Sequence, residues 1–202
     1  IDLIRNEAQH AREGKPSGIV IKINSLQDKE SIDELYAASQ AGVPIKLVVR
    51  GMCCLRPGRV GLSENIEVIS IVGHYLEHSR IYYFHNEGKD IVYIGSADMM
   101  VRSFDRRLES LFMINDDLIQ RQIKNILQYN LLDNVNSYQM QEDGSYIKKS
   151  AGSDQAFNIH KEFYNVSKEN LLELDLTTKF IPQVVEPLYN EESVAEEVKS
   201  SD

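Results

Sequence analysis

The sequence predicts a mixed α/β fold, a largely parallel sheet flanked by helices, and three observations predict it. Two β-branched apolar runs, at 17–24 (SGIVIKIN) and 44–50 (PIKLVVR), flank a segment of helical spacing, and four further short apolar runs follow them. Strands separated by a helix imply a βαβ unit and parallel pairing, because a parallel connection must cross over the sheet. The third observation is size: 202 residues with 42% hydrophobic content can bury one substantial core without disulfides or metals to hold it together.

Each element is set by local pattern. Leu3, Ile4, Ala8 and Ala11 recur at helical spacing over 2–13, and Gly14-Lys15-Pro16 stops that helix. The first strand comes next. Asp28 can cap a helix over 29–41, Gly42 closes it, and the second strand begins at Pro44. The runs 66–72 (IEVISIV), 79–84 (SRIYYF), 91–95 (IVYIG) and 108–114 (LESLFMI) read as short strands, and 116–130 as a helix that starts on Asp116-Asp117. The polar stretch 139–154, with Gly144 and Gly152, reads as a hairpin or a mobile loop.

Composition bounds the function. Cys53 and Cys54 are the only cysteines, and adjacent cysteines rarely meet disulfide geometry, so the expected setting is reducing and cytoplasmic, with both side chains acting as small buried apolar groups. No uncharged apolar run approaches the roughly 20 residues of a membrane span, and the opening Ile1-Asp2-Leu3-Ile4-Arg5 lacks the layout of a signal peptide. An amphipathic helix at the first residue, with no methionine, suggests a piece of a longer polypeptide. The net charge of -9 argues against a polyanionic ligand such as nucleic acid. Two thirds of that excess, however, lies beyond Asn170, where eight acidic residues face only Lys179 and Lys199. The expected division is a domain at 1–165 and an acidic extension at 166–202, disordered at its end.

Three features at strand ends carry candidate chemistry, because ligands of open α/β sheets gather beyond the carboxyl ends of strands. Arg50-Gly51 ends the second strand, and Arg56-Pro57-Gly58-Arg59 follows in the loop; guanidinium forks suit bidentate phosphate recognition, although surface arginines beside a turn are common. Glu77-His78-Ser79-Arg80 precedes an apolar run, and residues two apart in extended chain share a face, so His78 and Arg80 project together. An imidazole beside a guanidinium suits a phosphate site, where the histidine acts as nucleophile, proton carrier or hydrogen-bond donor; the alternative is a surface His and Arg on an edge strand. The third feature is Gly95-Ser96-Ala97-Asp98, followed by Arg102, Arg106 and Arg107. Ser96 can donate to a phosphoryl oxygen and Asp98 can orient a base or an arginine, or either can cap a helix.

The order strand, His-x-basic, strand, Gly-Ser-x-polar resembles the phospholipase D-like superfamily, whose members join two such halves around a phosphoryl-transfer site with a histidine nucleophile. The superfamily's usual lysine is Arg80 here, its following aspartate is His85, and its Gly-Ser-x-Asn reads Gly-Ser-Ala-Asp, which counts against independent hydrolase activity. The strings PSGIVIKINSLQDKESIDELYAASQAGVPIKLVVRGMCCLRPG, NIEVISIVGHYLEHSRIYYF and YIGSADMMVRSFDRRLE are similar to the second C-terminal domain of the polyphosphate kinase family, over roughly residues 3 to 135. That resemblance implies a phospholipase D-like half and reversible transfer of the ATP terminal phosphate to inorganic polyphosphate. It also implies a phosphohistidine supplied by a preceding domain, and magnesium whose ligands lie mostly outside this chain. His78 and Arg80 would then be catalytic, and Arg50, His78, Ser96, Asp98 and Arg102 would bind nucleotide and phosphate. The implied partners are ATP or ADP, polyphosphate and the preceding domains, in a homo-oligomer without nucleic acid. The alternatives are a phosphodiesterase or nuclease half-site working as a dimer, and a non-catalytic polyphosphate-binding module.

Overall fold

The computed structural model describes residues 1–152, 155–164 and 171–176, and the βαβ unit stands at the centre of its sheet. Helix α1 (Asp2–Arg12) leads into β1 (Ile19–Ile23), α2 (Lys29–Gln40) and β2 (Ile45–Val49). Asp28 caps α2 as its position suggests, its carboxylate accepting from the Ser31 N–H at 2.8 Å. Then come β3 (Ile66–Ile71), β4 (Arg80–Phe84), a single 3-10 turn (Asn86–Gly88) and β5 (Ile91–Gly95). The chain continues through α3 (Val101–Asp105), β6 (Leu111–Met113), α4 (Asp117–Leu132), β7 (Ser137–Met140), β8 (Tyr146–Lys148) and α5 (Ile159–Glu162).

The eight strands form one mixed sheet in the order β6-β5-β4-β1-β2-β3-β7-β8. Parallel pairing is confined to β1–β2 and β2–β3, and every outer pair is antiparallel, so the expectation of a largely parallel sheet holds only for its centre. Connection length accounts for the centre and for the β4–β5 hairpin. Helix α2 and the long segment 50–65 give β1, β2 and β3 room to cross over, whereas β4 and β5 are joined by a short turn that permits only a hairpin. The stretch 139–154 contributes to a second hairpin, β7–β8, with Gly144 in the left-handed region at φ +88°. The expected strand at 108–114 shrinks to three exposed residues on the sheet edge.

Each face of the sheet has its own core. Ile19, Ile21 and Ile23 of β1 meet Ile4 and Ala8 of α1 and Leu35 and Ala38 of α2 on one face. Val20 points the other way, with Val48, Ile69 and Ile81, toward Ile123 and Leu127 of α4 and Ile159 of α5. Full burial of each such aliphatic side chain contributes about 1.5–3 kcal/mol. Glu7 is fully buried in α1, where its carboxylate accepts from the Gly18 N–H at 2.8 Å and the Asn86 N–H at 2.6 Å, tying the helix to the starts of β1 and of the turn after β4.

Residues 171–176 lie against α4: the Leu172 carbonyl accepts from Asn125 at 3.0 Å and the Asp175 N–H donates to Gln128 at 3.0 Å. The remainder of the expected extension at 166–202 falls outside the described residues. Cys53 is half-buried, and burial pushes its thiol up to about 11, whereas Cys54 is exposed, so the expectation of two buried cysteines fails for the second. Among the described residues, no helix is long and apolar enough to cross a membrane.

Candidate phosphate site

The end of β2 delivers the first side chain. The Arg50 N–H continues the ladder to the Ile23 carbonyl at 3.2 Å, and the Gly51 N–H reaches the Asn24 carbonyl at 2.8 Å. A Cβ on Gly51 would stand 2.9 Å from that carbonyl, so glycine permits the close approach that turns the chain here. Arg50 thereby projects past the sheet, and its Nη2 lies 3.4 Å from Nδ1 of His78. A guanidinium only donates, so Nδ1 is the acceptor and the neutral ring carries its proton on Nε2.

His78 lies just before β4, on an exposed loop at the same edge. Its backbone carbonyl accepts from Arg80 Nη1 at 2.9 Å. The remaining nitrogens of Arg80 form a two-point contact with Asp98, Nε to Oδ1 and Nη2 to Oδ2, each 3.2 Å. Asp98 also accepts from the Asn24 N–H at 2.8 Å and from its side-chain amide at 3.3 Å. Burial works to raise the Asp98 carboxyl, but the Arg80 and Asn24 hydrogen bonds outweigh it and hold the group below the usual carboxylate range. Asp98 therefore orients an arginine, one of the roles open to it from sequence, and its oxygens are engaged in doing so. Arg80, followed by burial and Arg50, lowers the pKa of His78 from its ordinary value.

Ser96 sits at the same edge, one residue past Gly95, which pairs with Arg80 across β4–β5. Its hydroxyl donates to Glu109 and accepts from the Ser110 N–H at 3.1 Å, so it ties the end of β5 to the entry of β6 and caps no helix. Gly95 serves the same junction, since a Cβ there would meet the Ser110 carbonyl at 2.0 Å. Arg102 lies on α3, exposed, and makes no side-chain hydrogen bond or ion pair among the described residues. Arg56 turns away to the Asp143 carbonyl in the β7–β8 turn, leaving Arg50 as the arginine of the 50–59 loop that faces His78.

Sequence reasoning missed four residues here: Lys22, Asn24, Glu77 and His160. Lys22 interrupts the apolar alternation of β1 and is a buried cation, with its ammonium near Glu77 and the loop that carries His78. That break in the IVIKI run was the available signal. Burial lowers the Lys22 pKa against the opposing pull of Glu77.

Two sizeable cavities lie elsewhere. One of about 600 Å³ opens at the opposite edge of the sheet, between Pro44, Lys46, His85 and Asp175, and one of about 580 Å³ lies on the α1–α2 face beside Tyr82, Tyr93 and Phe104. Neither is lined by Arg50, His78 or Arg80. The site is a cation-lined edge on which His78 is exposed, and a cavity of about 250 Å³ lined by Glu77, His160 and Tyr75 adjoins it. Among the described residues no three His, Cys, Asp or Glu side chains converge as metal ligands, and the nearby carboxylates are taken, Asp98 by Arg80 and Glu77 by Lys22. Among the described residues, the donor set at this site does not fit a magnesium ion.

Residues 1–160 match the family described as polyphosphate kinase C-terminal domain 2. The chain belongs to the polyphosphate kinase family. It is 48% identical over 156 residues to the polyphosphate kinase of Thermosynechococcus vestitus, covering 77% of this chain and 21% of that protein. With the Bacillus cereus polyphosphate kinase it shares 45% identity over 170 residues, 84% of this chain and 24% of the relative. The crystal structure of polyphosphate kinase from Porphyromonas gingivalis superposes with a TM-score of 0.78 at 40% identity, over 81% of this chain and 25% of that one. The chain therefore spans about a fifth to a quarter of the polyphosphate kinases it matches, and the fold is that of their C-terminal domain.

Proposed function

We propose that this domain is the phosphate-holding half of an ATP:polyphosphate phosphotransferase site. The observation that carries the reading is the exposed His78 at one edge of the sheet, with its ring Nδ1 3.4 Å from the Arg50 guanidinium and its backbone carbonyl accepting from Arg80 at 2.9 Å. In the intact enzyme a histidine of the preceding domain would attack the ATP γ-phosphorus, forming an N–P bond as the β–γ P–O bond breaks and ADP leaves with the electron pair. The terminal oxygen of polyphosphate then attacks the same phosphorus, forming a P–O bond and returning the electron pair to the histidine nitrogen; the reverse sequence makes ATP. Arg50 supplies fixed positive charge where the equatorial oxygens gain charge, and Arg80, braced by Asp98, does so without reorganising. His78 offers an Nε2–H donor to a phosphoryl or leaving oxygen. Magnesium, ATP and polyphosphate enter as the substrates and cofactor this reading requires, with the metal ligands assigned to the preceding domain.

The test uses the full-length enzyme. Arg50→Ala and His78→Ala should each cut ATP-dependent polyphosphate synthesis by roughly 10² to 10³, the loss expected for one charge-assisted contact in the transition state. Their thermal melts should match wild type, because both side chains lie outside the apolar runs. Arg50→Lys keeps the charge but not the fork, and should recover only part of the rate. Normal synthesis by both alanine variants would remove this edge from the active site.

A further inference from the structure

We propose that Lys22 is a positioning residue for His78, a role that rests on the phosphoryl-transfer reading above. Its ammonium lies 3.4 Å from the Glu77 carbonyl and 3.3 Å from the Ser79 carbonyl, the two peptide oxygens that flank His78. Arg80 takes the carbonyl between them. Three consecutive carbonyls, of Glu77, His78 and Ser79, are therefore turned onto cations, and an exposed loop acquires a fixed backbone course. The Lys22 side chain is only 2% exposed, too buried to meet a substrate directly, so its effect passes through the loop.

Glu77 completes the arrangement. Its Oε2 lies 3.5 Å from the Lys22 ammonium and its Oε1 3.3 Å from Nε2 of His160 on α5. The carboxylate neutralises the buried cation, and its other oxygen lies beside the His160 ring without a hydrogen bond to it. Register explains why Lys22 is the residue that reaches. It pairs with Val48 on β2 and Ile81 on β4, at the end of the strand nearest the site, and its four-carbon stem crosses apolar surface before the head group meets the loop. Burying an ammonium is unfavourable unless it is paired and hydrogen-bonded, and the pairing here falls on the three residues centred on His78.

Two readouts test the proposal in the full-length enzyme. Lys22→Met should lower kcat for polyphosphate synthesis by about tenfold to a hundredfold, the effect of misplacing a reacting group by about 1 Å. KM for ATP should stay within about threefold, since Arg50 and Arg80 remain. Hydrogen–deuterium exchange of the peptide over 74–80 should also quicken, a measurement that needs no turnover. The double variant Lys22→Met/Glu77→Gln removes both buried charges together, so it avoids the uncompensated carboxylate that could unfold the single variant. It should remain slow in kcat and fast in exchange, because the two carbonyls are still unheld. Wild-type turnover in the double variant would overturn the proposal and reduce Lys22 to the charge partner of Glu77, as would wild-type exchange over 74–80 in either variant. An inactive wild-type enzyme would instead overturn the kinase reading, and the exchange result would still decide whether Lys22 orders the loop.

Discussion

Two guanidinium groups beside one imidazole set its protonation. Arg80, burial and Arg50 together favour the neutral ring, so His78 is unprotonated in the empty site at neutral pH. A bound polyanion offsets those cations and raises the His78 pKa. The bound state then holds more protons than the free state between the two pKa values, and affinity must rise as pH falls through that window. Sulfate, whose charge does not change in this range, should bind more tightly as pH drops from 7.5 to 5.5, by up to about tenfold for each unit by which the anion raises the pKa. His78→Gln should flatten the dependence, and calorimetry across that range reads it directly. An equal slope in the variant would assign the proton to another group. Strand-end position was enough to single out Arg50 and His78 as candidates, and the structure brings their side chains to 3.4 Å. It did not reveal Lys22 or Glu77 as members, since that contact joins residues 55 apart in sequence and depends on the β1–β4 pairing.

At the scale of elements, Asp133 ends α4 and organises the two elements packed around its carboxylate. It is fully buried, and its two oxygens accept from the N–H groups of Val135, Asn136 and Ile159, from the Ser137 hydroxyl and from the Asn136 side-chain amide. One side chain thus joins the end of α4, the start of β7 and the first turn of α5. Asp133→Ala should destabilise the domain by about 2–4 kcal/mol, because several buried donors lose their acceptor at once; denaturant melts measure it. Asp133→Asn, which keeps one acceptor oxygen, should lose less, and equal losses would show that the contacts are not limiting. The strands of the central unit were legible because apolar runs bounded by turn residues carry their own signal. Pairing direction at the sheet edges was not, since it depends on which strands meet. Helix α3 and the short α5 were missed because five and four residues give no periodicity to read. β6 was overextended because Leu108 reads as apolar although it is exposed.

At the scale of the molecule, the site faces outward from a sheet edge, and among the described residues its one candidate nucleophile is His78. The isolated chain should fold, with its two cores complete, yet make no polyphosphate from ATP. A radiolabelled-ATP assay on the purified chain, free of host enzyme, checks this, and turnover that survives purification would promote His78 to nucleophile. Legibility was greatest at this scale: 1–160, the span of the family match, includes all three strings that carried the resemblance. The contact between Glu77 and His160 also has a consequence for synthesis on the ribosome. Every described strand of the sheet has been made by Lys148, but the histidine that lies beside the Glu77 carboxylate comes twelve residues later, on α5. A nascent chain arrested before α5 can complete the sheet and still lack both Ile159, which fills the second core, and His160 beside Glu77, so the loop that carries His78 gains its full backing only when α5 is made.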